Sequence, residues 1–257
     1  MSLAADNISL HLSGFDLLRN VSVQVEAGQV TAIVGPNGAG KSSLLRVLTG
    51  EMQPTTGQVI FNQRNLDDWP VEQKAQMLAV LPQHSLLNFP FTANEVVGLG
   101  RIPHETGTSK DAEIIAQALK LVDAEYLQRR FYTQMSGGEK QRVQLARVLA
   151  QIWLPCASGE QFLVLDEPTS AFDLAHQQLT LDIVRQLAAR GVGVVMVLHD
   201  LNLAARCADK LVVFDGGEVA AQGSPEQVLT EQLIQQVFGV EAIISRHPLT
   251  DKPLVIT

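Results

Sequence analysis

The sequence predicts an α/β fold: a largely parallel sheet with a phosphate-binding turn at one strand end, interrupted by an inserted helical segment. Three observations predict it. Gly35-Pro36-Asn37-Gly38-Ala39-Gly40-Lys41-Ser42 fits the pattern G-x-x-x-x-G-K-[ST], between an apolar run at 29–34 and a helix-patterned run at 41–48. A strand, a glycine turn and a helix start are the context that motif requires. Further apolar runs at 162–165 and 193–198 have the length and continuity of strands buried on both faces. Before them, from about residue 84 to 155, the pattern is helical only.

The elements follow in order. Residues 1–34 read as β-structure. Ile8, Leu10 and Leu12 alternate with Ser9, His11 and Ser13, and Val21, Val23 and Val25 alternate with Ser22, Gln24 and Glu26. A period of two marks a half-buried strand. Ala27-Gly28 supplies a turn, and Leu44, Leu45, Val47 and Leu48 give 41–48 its apolar face. Residues 53–57 form a loop, 58–61 a short strand and 77–81 another. Thr92-Ala93-Asn94-Glu95 has capping-box spacing and opens a helix over 93–99. Ile114, Ile115, Ala118 and Leu121 share one face of a helix over 111–121, as Val143, Ala146 and Leu149 do over 136–150. The α/β texture returns at Gln161, with strands over 162–165, 193–198 and 211–214. Helices are expected over 174–189 and over 200–208, the latter with Asp200 as cap. Asp215-Gly216-Gly217 is a turn, and Ser224-Pro225-Glu226-Gln227 starts one more helix with proline at its first position.

The chemistry sits at the strand ends. Glycines let the backbone of 35–40 curl until successive N–H groups face one anion, and the helix start adds its positive dipole end. Lys41 is placed to reach β- and γ-phosphates, and the Ser42 hydroxyl to ligate Mg²⁺. The run 162–165 ends in Asp166-Glu167, which at the carboxyl end of a parallel strand lies beside the nucleotide crevice. There Asp166 would hold Mg²⁺ through water, and Glu167 would orient and deprotonate an attacking water. An acidic pair after a strand is by itself only a solvated turn; the phosphate loop gives it a role. Ser136-Gly137-Gly138-Glu139 is at once a capped helix start and an anion cradle.

Met135-Ser136-Gly137-Gly138-Glu139-Lys140-Gln141 resembles the L-S-G-G-Q/E signature of ABC-transporter ATPases, with Met135 for the usual leucine. The other family elements follow in the family's order, and the resemblance runs over about 8–238. It implies that Gln83, in Leu81-Pro82-Gln83, is the Q-loop glutamine, linking the Mg²⁺ site to the helical lobe. It implies that Asp173, after Ser170-Ala171-Phe172, is the D-loop aspartate, and that His199, after Val197-Leu198, is the switch histidine on the γ-phosphate. The implied site is then Glu167, His199 and Gln83 for catalysis, and Ser42, Gln83 and Asp166 for Mg²⁺. Gly35, Pro36, Asn37, Gly38, Ala39, Gly40, Lys41, Ser42, Ser43, Ser136, Gly137, Gly138 and Asp173 bind ATP. The implied fold is a P-loop NTPase with a RecA-like core and an antiparallel β-subdomain (1–83 and 156–257) and an inserted helical subdomain (84–155). Ser136–Gly138 would complete the site of a second copy, head to tail, in a homodimer. One element departs. The aromatic residue that stacks on adenine is missing from Leu10-His11-Leu12-Ser13-Gly14-Phe15. Leu12 lies nearest its place, and Phe15, His11 or an aliphatic contact are the alternatives.

Composition narrows the function. With 257 residues, 46% of them hydrophobic, one large α/β domain is expected. A net charge of −8 argues against a nucleic-acid partner. No apolar run reaches the roughly 18 residues of a membrane span, and residues 1–6 lack a signal-peptide pattern. Cys156 and Cys207 fit neither a metal spacing nor a disulfide framework, so a reducing cytoplasm is expected.

By resemblance the chain is the ATPase subunit of a bacterial importer, on the cytoplasmic face of the inner membrane. It would work with membrane permease subunits and, indirectly, a periplasmic substrate-binding protein. Its rivals are a soluble iron–sulfur-assembly ATPase and an exporter cassette. Phe89-Pro90-Phe91-Thr92, Gly100-Arg101, the stretch 144–153, the extended segment 154–161 and the stretch 199–205 resemble the iron-chelate, vitamin B12 and haem group, and within it the haemin-import ATP-binding proteins. Haem is the expected cargo, with siderophore or vitamin B12 as alternatives, and no regulatory domain is expected after about residue 245. Leu86, Leu87, Phe89, Pro90 and Phe91 are read either as a socket for a permease helix or as filling of the helical lobe.

Overall fold

The structure is a computed structural model that describes residues 1–83 and 87–257. The chain begins β1 (Ser2–Leu12), β2 (Phe15–Glu26), β3 (Val30–Val34), α1 (Lys41–Leu48), β4 (Thr56–Phe61), β5 (Arg64–Asn65), α2 (Val71–Met77) and β6 (Leu78–Leu81). Three helices follow: α3 (Ala93–Gly98), α4 (Thr108–Leu121) and α5 (Gly137–Gln151). It continues β7 (Phe162–Asp166), α6 (Leu174–Ala189), β8 (Gly193–Val197), α7 (Leu201–Cys207), β9 (Lys210–Asp215) and β10 (Glu218–Gly223). Helices α8 (Pro225–Val228) and α9 (Glu231–Phe238) lead to the hairpin β11 (Ile243–Arg246) and β12 (Pro253–Ile256).

The central sheet has the order β10-β9-β3-β8-β7-β6. All its neighbours pair parallel except the edge pair β9–β10. A second sheet, β2-β1-β4-β5, is antiparallel throughout. Side-chain alternation along the central strands divides them between two cores. Val30, Ala32, Val34, Leu163, Leu165, Val194 and Met196 face the core that α3 to α6 also enter. Ile33, Phe162, Val164, Val195, Val197, Val212 and Phe214 face the core built with α1, β1 and β2. Burial on both faces explains why these strands read as continuous apolar runs. The common direction of β3, β6, β7, β8 and β9 places their carboxyl ends at one edge of the sheet.

Several expected elements shift. The strand expected over 77–81 starts at Leu78, because Met77 ends α2. Helix α2 has no sequence signature, since Met77 is its only fully buried residue and Val71 is exposed. The helix expected over 93–99 gives way at Leu99 to a 3₁₀ turn through Arg101. That turn presses against α5: a Cβ on Gly100 would lie 2.2 Å from the Arg147 carbonyl oxygen. Strand β10, α9 and the β11–β12 hairpin were not legible in the sequence. Their residues are short, partly exposed runs, and β12 is held to α7 by one side chain, Asn202, whose amide exchanges two hydrogen bonds with the backbone of Val255 at 3.0 and 2.7 Å.

Candidate functional site

The phosphate loop joins β3 to α1 with backbone that only glycine tolerates. Gly38 and Gly40 have φ of 79° and 100°, and a Cβ on Gly40 would lie 2.7 Å from the Leu17 carbonyl oxygen. A Cβ on Gly35 would lie 2.2 Å from the Phe214 carbonyl oxygen. Lys41 begins α1, and its Nζ donates to the carbonyl oxygens of Gly35 and Pro36 at 2.8 and 2.7 Å. Burial lowers its pKa, against the raising influence of Glu167 and Asp166. Residues 37–43 line one cleft together with Leu17, Glu167 and His199.

Ser42 opens a second cleft on the same loop. Its Oγ lies 3.4 Å from Asp166 Oδ1, across 124 residues of sequence. This cleft is lined by Ser42, Arg46, Gln83 and Asp166, among others. Burial holds the Asp166 carboxyl above its ordinary range; the Ser42 hydrogen bond opposes this and the nearby Glu167 charge adds to it. A buried carboxylate beside a hydroxyl and a second carboxylate is a hard-oxygen donor set. Among the described residues no group of three or more His, Cys, Asp or Glu side chains could hold a metal alone. The hydroxyl and carboxylate oxygens of Ser42 and Asp166 are of the kind that suits Mg²⁺, which is characteristically held by one or two carboxylates with substrate phosphates supplying further ligands.

Glu167 follows β7 in left-handed backbone, with φ 51°. Non-glycine residues rarely adopt it, and it is held here by the neighbouring turn. His199 follows β8, and its Nε2 lies 2.5 Å from Glu167 Oε1. Glu167 is largely buried while His199 is half exposed, so the pair spans the boundary between protein and solvent.

Gln83 is exposed at the end of β6 and lines the Ser42–Asp166 cleft. It also lines a third cleft with Tyr132, Gly137, Lys140, Gln141 and Ser170. The structure thus brings Lys41, Ser42, Asp166, Glu167 and His199 together and sets Gln83 between them and the start of α5. Ser136, Gly137 and Gly138 do not join that group. Ser136 caps α5, accepting from the Glu139 N–H at 3.3 Å while its own N–H donates to Glu139 Oε2 at 2.8 Å. Asp173 caps α6 with its side chain, accepting from His176 N–H at 2.9 Å and lying 2.8 Å from the His176 ring Nδ1, and its carboxyl is held below the usual range by these contacts to His176. At the β1–β2 hairpin His11 pairs with Asp16 at 2.8 Å, while Phe15 and Leu12 are exposed. Leu17, which no motif pointed to, is the residue of that hairpin on the phosphate-loop cleft. Gln141 was also missed as a site neighbour, and only its place in the signature helix could have suggested it.

The ABC transporter family matches residues 18–170, which hold the phosphate loop, the Ser136–Gly138 helix start and the Asp166-Glu167 pair. The chain belongs to the ABC transporter family. Across 254 residues this ABC cassette is 47% identical to the hemin import ATP-binding protein HmuV of Pseudomonas aeruginosa, covering 99% of each chain. A solved ATP-binding subunit of an ABC transporter has a TM-score of 0.79 at 24% identity, over 94% of this chain and 95% of that one. A bacterial ABC transporter cassette solved as a dimer has a TM-score of 0.77 at 24% identity, over 87% of this chain and 98% of that one. At these identities the solved structures speak for the fold, a P-loop NTPase cassette with an antiparallel sheet beside the nucleotide-binding core. No helix among the described residues is long and apolar enough to cross a membrane.

Proposed function

We propose that this chain is the ATP-hydrolysing subunit of a bacterial importer that takes up haem through a membrane permease. The observation that carries the cargo is the 47% identity, over 99% of both chains, to a hemin import ATP-binding protein. The chemistry rests on the convergence of Lys41, Ser42, Asp166, Glu167 and His199 on one sheet edge.

ATP is bound by the loop amides of 35–43, with Lys41 exchanging its carbonyl partners for β- and γ-phosphate oxygens. Ser42 and Asp166 hold Mg²⁺, with Gln83 at the edge of the same cleft, and the ion supplies charge neutralisation at the phosphates. Glu167 takes the proton of the attacking water. His199, 2.5 Å away, fixes the Glu167 carboxylate and faces the γ-phosphate. Leu17, on the phosphate-loop cleft, gives the base an aliphatic contact in place of an aromatic stack. Ser136, Gly137, Gly138 and Asp173 serve the γ-phosphate of a second copy, so two ATP molecules sit in a head-to-tail homodimer. ATP closes the dimer and hydrolysis reopens it. The helical lobe, 84–155, carries this movement to the permease at the cytoplasmic face of the inner membrane, and a periplasmic binding protein delivers haem on the other side. Phe89 and Phe91 are exposed and in ring contact at 6.1 Å, which favours the socket reading for this stretch, whereas Leu87 packs against the core. Leu86 lies outside the described residues.

The experiment is a deletion strain given haem as its only iron source. It should fail on haem and grow on ferric siderophores, and the gene should restore growth while its Glu167→Gln form should not. The purified Glu167→Gln chain should bind ATP, lose turnover and accumulate as an ATP-bound dimer. Normal growth on haem with lost growth on cobalamin or a siderophore would reassign the cargo. Purification with no membrane protein attached would favour the iron–sulfur-assembly reading.

A further inference from the structure

The loop from Glu167 to Asp173 connects the carboxylate of one ATP site to the aspartate that caps α6. Both of its ends are held by adjacent side chains of a single helix, α5. Gln141 Nε2 donates to the Glu167 carbonyl oxygen at 3.1 Å, and Gln141 Oε1 accepts from the Ala171 N–H at 3.3 Å. One amide thus spans the loop. The next residue, Arg142, donates through its guanidinium to His176 Nε2. Nε2 also lies 3.5 Å from Asp123 Oδ2, and the other ring nitrogen, Nδ1, lies 2.8 Å from Asp173 Oδ1. His176 thus bridges Arg142 and Asp173. Helix α5 also touches the loop directly, since a Cβ on Gly138 would lie 3.1 Å from the Ala171 carbonyl oxygen.

We propose that Gln141 and His176 are positioning residues that couple the two ATP sites of the dimer. The inference rests on the head-to-tail reading above. In that arrangement the α5 start of one chain grips the γ-phosphate of the partner's site, while Glu167 of the same chain serves its own. Any shift of α5 on gripping that phosphate is passed by Gln141 to the Glu167 backbone and, through Arg142 and His176, to Asp173. Glu167 sits in left-handed backbone, which persists only where its surroundings hold it, and Gln141 is one of the groups that hold it. Gln141 and His176 themselves are absent from the cleft formed by the phosphate loop, Glu167 and His199.

The test is ATPase cooperativity. Wild type should hydrolyse ATP with a Hill coefficient of about 2, the number of coupled sites. Gln141→Ala and His176→Ala should lower it to about 1 while binding of a non-hydrolysable ATP analogue by the separate chain stays within about twofold of wild type. His176→Gln should not restore the coefficient, because the glutamine carbonyl replaces only the Nε2 acceptor for Arg142 and leaves Asp173 Oδ1 without the ring Nδ1 contact. Should Gln141→Ala fail to fold, the His176 pair decides. Alanine variants that retain the wild-type coefficient in an ATP-dependent dimer overturn the coupling alone. A wild type that stays monomeric by light scattering in saturating ATP overturns the head-to-tail reading and the coupling with it.

Discussion

Asp166 shows how a site residue works against the fold that holds it. Its carboxyl is raised in pKa first by burial and further by the charge of Glu167. The folded state therefore holds that proton more tightly than the unfolded chain does. The sign follows: this group's contribution to stability falls as pH rises from the ordinary carboxylate range through the raised value. Once ionised, the carboxylate destabilises the nucleotide-free protein, and a divalent cation offsets this. Asp166→Asn should accordingly raise stability while abolishing Mg²⁺-dependent hydrolysis, the usual conflict between site chemistry and stability. A gain of about 1 kcal/mol would appear as a melting temperature about 2–4 °C higher for a chain of this size. Calorimetry without nucleotide reads it, and a lower melting temperature would mean that the Ser42 contact outweighs the burial of charge.

Among the elements, α5 carries the most functional weight. Its start is fixed by a reciprocal Ser136–Glu139 box, with Arg130 Nη1 donating to Glu139 at 3.0 Å, and Ser136 faces solvent. Ser136→Arg can therefore place its side chain outward without a clash inside the chain. The cap is lost at about 1 kcal/mol, which a thermal melt should show as a fall of a few degrees. ATP binding by the separate chain should survive. ATP-dependent dimerisation should not, because the guanidinium would occupy the space the partner's γ-phosphate needs. Normal dimerisation on a sizing column would place the Ser136 region away from any shared site.

For the whole molecule, the distribution of clefts matters more than any one of them. Lys41, Glu167 and His199 share a cleft, Ser42 and Asp166 line the next, and Gly137 and Gln141 line a third that meets the second at Gln83. Among the described residues, none of these three clefts holds both Lys41 and Ser136. A site completed only by a second copy makes hydrolysis depend on chain concentration. Specific activity per chain should rise with concentration below the dimerisation range and level off above it. A flat profile over a hundredfold dilution, with the chain monomeric throughout, would show that one copy suffices.

The sequence by itself determined the parts whose physics is local. Glycine at 35, 38 and 40 is demanded by backbone that no side chain fits, so the loop is legible from its glycines. The bounds of α1 and α6 and the caps Thr92, Ser136, Asp200 and Ser224 are written in adjacent residues, because capping is a matter of three or four positions. The family, too, is readable from motif order alone. Tertiary structure decided what depends on residues distant in the chain. The 3.4 Å approach of Ser42 to Asp166, the choice of Leu17 over Leu12 or Phe15 at the phosphate-loop cleft, and the grip of Gln141 on the Glu167 loop have no local signature. Helix α2 and strands β10 to β12 are likewise too short, and too incompletely buried, to announce themselves. They are ordered by the neighbours they touch, as β12 is by Asn202, and only the assembled chain supplies those neighbours.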